Sequence, residues 1–188
     1  MANQSTQKAI QEEFLDQLGH KPLNKITVSS IVQNCRINRN TFYYYYQDIY
    51  DLLQDILNND MEKTAEYVGK SPSWEEGYLY ALQMVIQNRS AMTNLYRSDR
   101  RELLHDYLYK NAGIIVEPYI RNEIRDLKPR PEDVKLLAIL YQCALTEVVE
   151  RWLESGVDID AQAVVKRIGE FMNGTAREAL SRSASLNN

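Results

Sequence analysis

The stretch that decides the fold is Thr27-Val28-Ser29-Ser30-Ile31-Val32-Gln33-Asn34-Cys35-Arg36-Ile37-Asn38-Arg39-Asn40-Thr41-Phe42-Tyr43-Tyr44-Tyr45-Tyr46. Thr27 is placed to cap a short helix whose apolar residues Val28, Ile31, Val32 and Cys35 recur at i, i+3, i+4 and i+7. Asn38 offers a second cap only three residues after Cys35, opening a helix that runs into Phe42 and Tyr46 and stops near Asp48. Two short helices joined at Arg36-Ile37 make a helix-turn-helix over 27–46. In such a unit the second helix enters the DNA major groove by its N-terminal residues while the first crosses the backbone. That helix begins Asn38-Arg39-Asn40-Thr41, side chains able to reach base edges, and continues with Tyr43, Tyr44 and Tyr45, whose hydroxyls can bond phosphates. Phe42 and Tyr46, four apart, share the core face. At 100° per residue, Tyr43, Tyr44 and Tyr45 cannot all turn inward, so at least one is exposed.

The charge pattern points to the same place. The whole chain carries −4, yet 17–47 contains no Asp or Glu and holds Lys21, Lys25, Arg36 and Arg39, so this window is +4 and the remainder −8. A basic island in an acidic chain offers one local surface to a polyanion and repels it elsewhere.

Outward from the motif the period is helical almost everywhere. Upstream, Ile10, Phe14, Leu15 and Leu18 form a stripe ended by Gly19 and Pro22. Downstream, Asp48 caps a helix with Ile49, Leu52, Leu53, Ile56 and Leu57 on one face, running towards Val68, before Gly69-Lys70-Ser71-Pro72 breaks the chain. Ser73 and Glu76 have capping-box spacing for a helix with Tyr78, Leu79, Leu82, Val85 and Ile86. After a break near Asn88, helical segments follow from Ala91 and from Asp99, with Pro118 expected to kink or restart the second. The helix over 131–153 is apolar on more than one face and needs two partners. Asp160 caps a last helix over 161–180, in which Gly169 and Gly174 are expected to permit close approach. The polar segment 181–188 reads as a disordered tail. These features predict an all-α chain with a domain boundary at 69–72 and a C-terminal domain over 71–180.

Composition narrows the function further. No run reaches the ~18 apolar residues of a membrane span, and 1–11 lacks the order of a signal peptide, so a cytoplasmic location without membrane partner is expected. Cys35 and Cys143 lie far apart in apolar surroundings and read as buried free thiols rather than a disulfide or metal pair. Two isolated histidines argue against a metal centre, and no cofactor is expected. No nucleophile–base pair or carboxylate pair stands at meaningful spacing, which argues against an enzyme.

Ile26 to Ile31, the run Ile37-Asn38-Arg39-Asn40-Thr41-Phe42-Tyr43-Tyr44-Tyr45-Tyr46, then Asp48 and Asp51-Leu52-Leu53, resemble the TetR/AcrR transcriptional regulators, and the resemblance implies an N-terminal helix-turn-helix DNA-binding domain over about 4–63. Within them, the Ile-Asn-Arg-Asn-Thr-Phe-Tyr run is similar to the dihydroxyacetone-kinase regulator branch. The resemblance implies a cytoplasmic homodimeric repressor of double-stranded DNA operators, controlled by an effector in the C-terminal domain. It implies phosphate contacts at Thr27, Thr41, Tyr43 and Tyr45, and base contacts around Asn38, Arg39, Asn40 and Tyr44. Arg36 stands where the family commonly has a turn glycine, and Gln47 and Ile49 where it often has lysines. Those departures imply either weaker DNA binding or compensation by Arg36 and Lys25. A helix-rich co-regulator acting through a protein partner is the second reading.

The resemblance also directs the remaining site residues. Tyr78, Leu82, Met92, Tyr96, Leu103 and Tyr107 are expected to line a pocket for a small, uncharged or aromatic effector. Tyr141, Leu145, Val148, Trp152, Val164, Ile168 and Phe171, on the last two long helices, are expected at the interface between copies.

Overall fold

Side-chain caps written into the sequence set where the helices begin. Thr27 Oγ1 accepts from the Ser30 amide at 3.1 Å while Ser30 Oγ accepts from the Thr27 amide at 3.3 Å, a reciprocal box. Asn38 Oδ1 accepts from the Thr41 amide, Asp48 Oδ1 from the amides of Tyr50 and Asp51, Ser73 Oγ from Glu76, and Asp160 Oδ1 from Ala163. Each such cap is worth about 1 kcal/mol of helix stability.

The computed structural model describes residues 2–70 and 73–185, and among them helices are the only regular secondary structure. Helix α1 spans Ala2–His20, and a 3-10 turn at Leu23–Lys25 leads into α2, Val28–Asn34, and α3, Arg39–Tyr45. Helices α4, Ile49–Val68, α5, Trp74–Gln87, and α6, Arg89–Tyr96, follow. The chain continues with α7, Arg101–Glu123, α8, Pro131–Ser155, α9, Ala161–Met172, and α10, Thr175–Ser185.

Ile10, Phe14 and Leu18 of α1 close over Ile31, Phe42, Leu52 and Leu57 to make an N-terminal core. Tyr78, Leu82, Tyr107, Ile115, Leu145 and Val149 make the centre of a second, where α5, α7 and α8 meet. The two cores are continuous, because α1 lies along α6 and α4 along α7. Asn94 of α6 donates to the Leu18 carbonyl at 2.7 Å, satisfying an orphan acceptor at the end of α1 and tying the two halves together. At Gly77 a Cβ would stand 2.9 Å from Val68 Cγ2, so only glycine lets α5 approach the end of α4 this closely.

Several expectations are corrected. Pro118 lies inside α7 without restarting it, exposed on the solvent side of the helix. The helix expected over 161–180 is two helices, because Gly174 adopts φ +81° and turns the chain; it serves a bend rather than a close approach, with nothing within 4 Å of a Cβ there. Of the expected tail, 181–185 belongs to α10, with Ser183 buried and donating to Asp133 at 2.5 Å. Residues 186–188 of that tail, and Ser71 and Pro72 of the expected break, lie outside the described residues. Cys143 is exposed and Cys35 half-buried, so neither is the fully buried thiol expected.

Candidate nucleic-acid interface

Helix α3 is held from behind by its aromatic core face. Phe42 is fully buried, and the Tyr46 hydroxyl donates to Asp55 Oδ2 at 2.9 Å and accepts from Gln11 Nε2 at 3.1 Å. Gln11 also donates to Asp55 at 2.9 Å, so one hydroxyl and one carboxylate fasten the end of α3 to both α1 and α4. Burial, with a further contribution from the Asp55 carboxylate, pushes the Tyr46 phenol up to about 12. This anchor escaped the sequence reading, because Gln11 and Asp55 are 44 residues apart and carry no local pattern.

The opposite face is open. Tyr43 is 53% and Tyr44 73% exposed, whereas Thr41 and Tyr45 are half-buried; Thr27, Asn38, Arg39 and Asn40 are exposed. Edge-to-face stacking of Tyr43 on Phe42 and of Tyr44 on Tyr45 holds the two exposed rings in place. Asn38 and Thr27 spend their side-chain oxygens on caps, and the Thr41 hydroxyl donates to Asn38 Oδ1 at 3.0 Å. Arg39 reaches back to α2, where its Nη2 donates to Ser29 Oγ at 2.5 Å, a contact that the sequence reading did not foresee.

Lys25, Arg36 and Arg39 are all exposed in this acid-free stretch. Arg36 takes φ +54°, the left-handed turn conformation that glycine adopts freely, so the turn geometry is kept at the cost of strain. The nearest following carboxylates have structural partners: Asp48 caps α4, and Asp51 Oδ2 accepts from the Gln47 amide at 2.9 Å. The arrangement is a two-helix, cationic, tyrosine-rich surface suited to a phosphate backbone and to base edges.

In the C-terminal half, α5, α7 and α8 enclose a small cavity of about 20 Å³. Tyr78, Leu82 and Tyr107 line it, as does the pair Asn111 and Thr146, which the sequence reading did not single out. Met92, Tyr96 and Leu103 do not line it: Met92 is buried in α6, Leu103 is half-buried, and the Tyr96 ring lies 4.4 Å from the Arg101 guanidinium. Burial pushes the Tyr78 and Tyr107 phenols well above their ordinary range. No group of His, Cys, Asp and Glu among the described residues is arranged to hold a metal ion, and no described helix is long and apolar enough to cross a membrane.

Residues 72–174 match the TetR_C_8 family, the transcriptional regulator C-terminal region. The chain belongs to the TetR family of transcriptional regulators. A curated relative, the HTH-type dhaKLM operon transcriptional activator DhaS of Lactococcus lactis subsp. lactis (strain IL1403), is 30% identical over 95 residues, 50% of this chain and 51% of the relative. The match thus spans about half the length of that relative. Among solved structures, the dihydroxyacetone kinase operon activator DhaS superposes with a TM-score of 0.75 at 19% identity, over 95% of this chain and 98% of its own. A TetR transcriptional regulator from Streptococcus agalactiae 2603V gives 0.66 at 23% identity, over 90% and 94%. The fatty acid degradation regulator FadR from Bacillus halodurans gives 0.64 at 16%, over 92% and 96%. At these identities the structures establish a shared fold.

In this TetR-family chain, α8 and α9 carry four large apolar side chains that the fold leaves uncovered. Leu136 and Leu140 are 56% and 55% exposed, Ile139 37% and Phe171 71%. Of the residues expected between copies, Leu145 and Trp152 turn instead into the protomer's own core, and Tyr141 is half-buried with its hydroxyl hydrogen-bonded to Thr175 Oγ1 at 2.7 Å. Val148, Val164 and Ile168 are half-buried and Phe171 is open. The sequence reading did not single out Leu136, Ile139 and Leu140 as exposed, because a helix apolar on two faces does not say which face its own domain will cover.

Proposed function

We propose that the chain acts as a homodimer that binds a double-stranded DNA operator through α2 and α3, with affinity set by an effector in the C-terminal domain. The observation that carries the reading is the open face of α3 within an acid-free cationic surface. Arg39, Asn40 and Tyr44 are assigned to base edges, and Tyr43, Tyr45, Thr27 and Thr41 to phosphates; Asn38 contributes as the cap of α3. Arg36 and Lys25 supply positive charge where Gln47 and Ile49 do not. The exposed row Leu136, Leu140, Cys143 and Ala144 on α8, joined by Phe171 of α9, faces its two-fold mate. Whether binding represses or activates depends on where the operator lies relative to a promoter, a property of the DNA. Action on operators places the protein in the cytoplasm, and its proposed role requires no catalytic step.

Selection of genomic fragments by the purified chain tests the reading. The expected outcome is enrichment of pseudo-palindromes whose half-sites lie about 34 Å, one helical turn, or a multiple apart, with affinity falling steeply as salt rises. Retention of fragments no better than random DNA at low salt overturns it.

A further inference from the structure

Among the described residues, the buried side-chain polar atoms without hydrogen-bond partners lie at one place. Asn111 is 4% and Thr146 2% exposed, and both line the small cavity between α5, α7 and α8. Asn111 Nδ2 donates to the Tyr107 carbonyl at 3.1 Å, which fixes the carboxamide so that Oδ1 is the atom left over. That Oδ1 and Thr146 Oγ1 have no hydrogen-bond partner among the described residues. A helical threonine ordinarily bonds the carbonyl one turn back, so an unpaired hydroxyl here is a departure from local geometry. Two such groups on facing helices constitute an energetic debt that a ligand can remove.

The chemistry of the lining selects the ligand. Asn111 Oδ1 accepts only, whereas the Thr146 hydroxyl both donates and accepts. A single hydroxyl completes both by donating to Asn111 and accepting from Thr146. Its remaining neighbours include Ala81, Leu82, Val85 and Ala112, and no charged side chain lines the cavity. A carboxylate would set oxygen against the Asn111 oxygen without a cation to neutralise it, and an ammonium would bury its charge unpaired.

We infer that Asn111 and Thr146 form the head-group site for a small uncharged molecule with an apolar body and one hydroxyl, of the phenol or short-chain alcohol class. This rests on the effector-controlled reading given above and names the site and ligand class for it. The space of about 20 Å³ is of the order of one water, so the body of such a molecule enters only as α5, α7 and α8 separate. Tyr107 of α7 lies in the lining, and α7 packs along α4. Helix α4 carries the Asp55 anchor of α3, so displacement of α7 acts on the helix that holds the recognition helix. A ligand that prefers the separated arrangement must change DNA affinity by the same factor by which DNA changes ligand affinity.

The test uses the full chain with phenol, toluene and benzoate as probes, read by thermal shift and by titration calorimetry, with DNA affinity followed in parallel. Phenol is expected to raise the melting temperature and to bind at least tenfold more tightly than toluene, its partner without the hydroxyl, or benzoate, its charged partner. The Asn111→Leu/Thr146→Val double variant should melt no lower than the parent and lose the phenol response, while Leu82→Ala, which enlarges the cavity, should bind phenol more tightly. The single isosteric change Thr146→Val should weaken the phenol response by itself if the double change impairs folding. The site is overturned if phenol shifts neither the parent nor Leu82→Ala, if toluene binds as well as phenol, or if the polar-to-apolar variants respond like the parent. Phenol binding that leaves DNA affinity unchanged upholds the site and refutes its effector role. Release of DNA by another compound while phenol fails to bind refutes the site and leaves the effector-controlled reading standing.

Discussion

Arg36 shows how a single residue serves two opposed demands. Its φ of +54° places an L side chain in the left-handed region, a strain of about 1–2 kcal/mol, while its guanidinium adds a cation beside the recognition helix. Replacing it separates the two effects. Arg36→Gly is expected to stabilise the fold by about 1 kcal/mol, because relief of strain exceeds the extra chain entropy of glycine. The same change should weaken DNA binding and reduce the slope of log affinity against log salt by about one. Denaturant melts and a salt titration of DNA binding check both halves; a variant that is less stable, or that binds with an unchanged slope, contradicts this account.

At the scale of elements, α8 buries one apolar face and leaves another open. Leu145 and Val149 are buried against the protomer's own helices, whereas Leu136 and Leu140 project into solvent with Cys143 and Ala144 between the turns. Leu140→Glu is therefore expected to give a folded monomer with unchanged helical content, since the charge is harmful only against a second copy. Leu145→Glu should instead unfold the chain, because its carboxylate has no water to reach. Sedimentation with circular dichroism separates the two outcomes, and a Leu140→Glu protein that remains dimeric moves the interface elsewhere. Helix α7 is tied to α8 by the buried carboxylate of Glu150, which accepts from Arg101 Nη2 at 3.0 Å and lies 2.8 Å from His105 Nδ1. That pairing shows why a charged residue survives on the inward side of an otherwise apolar stripe.

Across the whole molecule, phenols rather than carboxylates mark the alkaline edge of stability. Four of the thirteen tyrosines, Tyr46, Tyr78, Tyr107 and Tyr119, are held above the ordinary value of 10, in each case chiefly by burial. A phenol whose folded value is raised binds its proton more tightly in the native state, so the unfolded chain releases protons first as pH rises. Stability is therefore full below about pH 10 and falls as pH climbs through 12, the value for Tyr46. Melting temperatures from pH 8 to pH 12 should decline in that window, with Tyr46→Phe declining less steeply; a flat profile for the parent refutes the assignment. All four phenols lie where elements meet, so the loss is global rather than local.

The helix-turn-helix was legible because its information is local. Caps at Thr27, Asn38 and Asp48 bond amides two or three residues away, and the period of Ile31, Phe42 and Tyr46 writes the buried face directly into the order of residues. The acid-free window was legible for the same reason, since charge sums along the chain before any folding. What depended on neighbours distant in sequence was not: the Gln11–Tyr46–Asp55 anchor, the Arg39–Ser29 contact, and the choice of which α8 face its own domain would cover. The cavity at Asn111 and Thr146 lies at the far end of this series. Helical period predicts that such residues face inward, but only the packing of α5, α7 and α8 decides whether the group opposite offers a hydrogen bond or leaves the space unfilled.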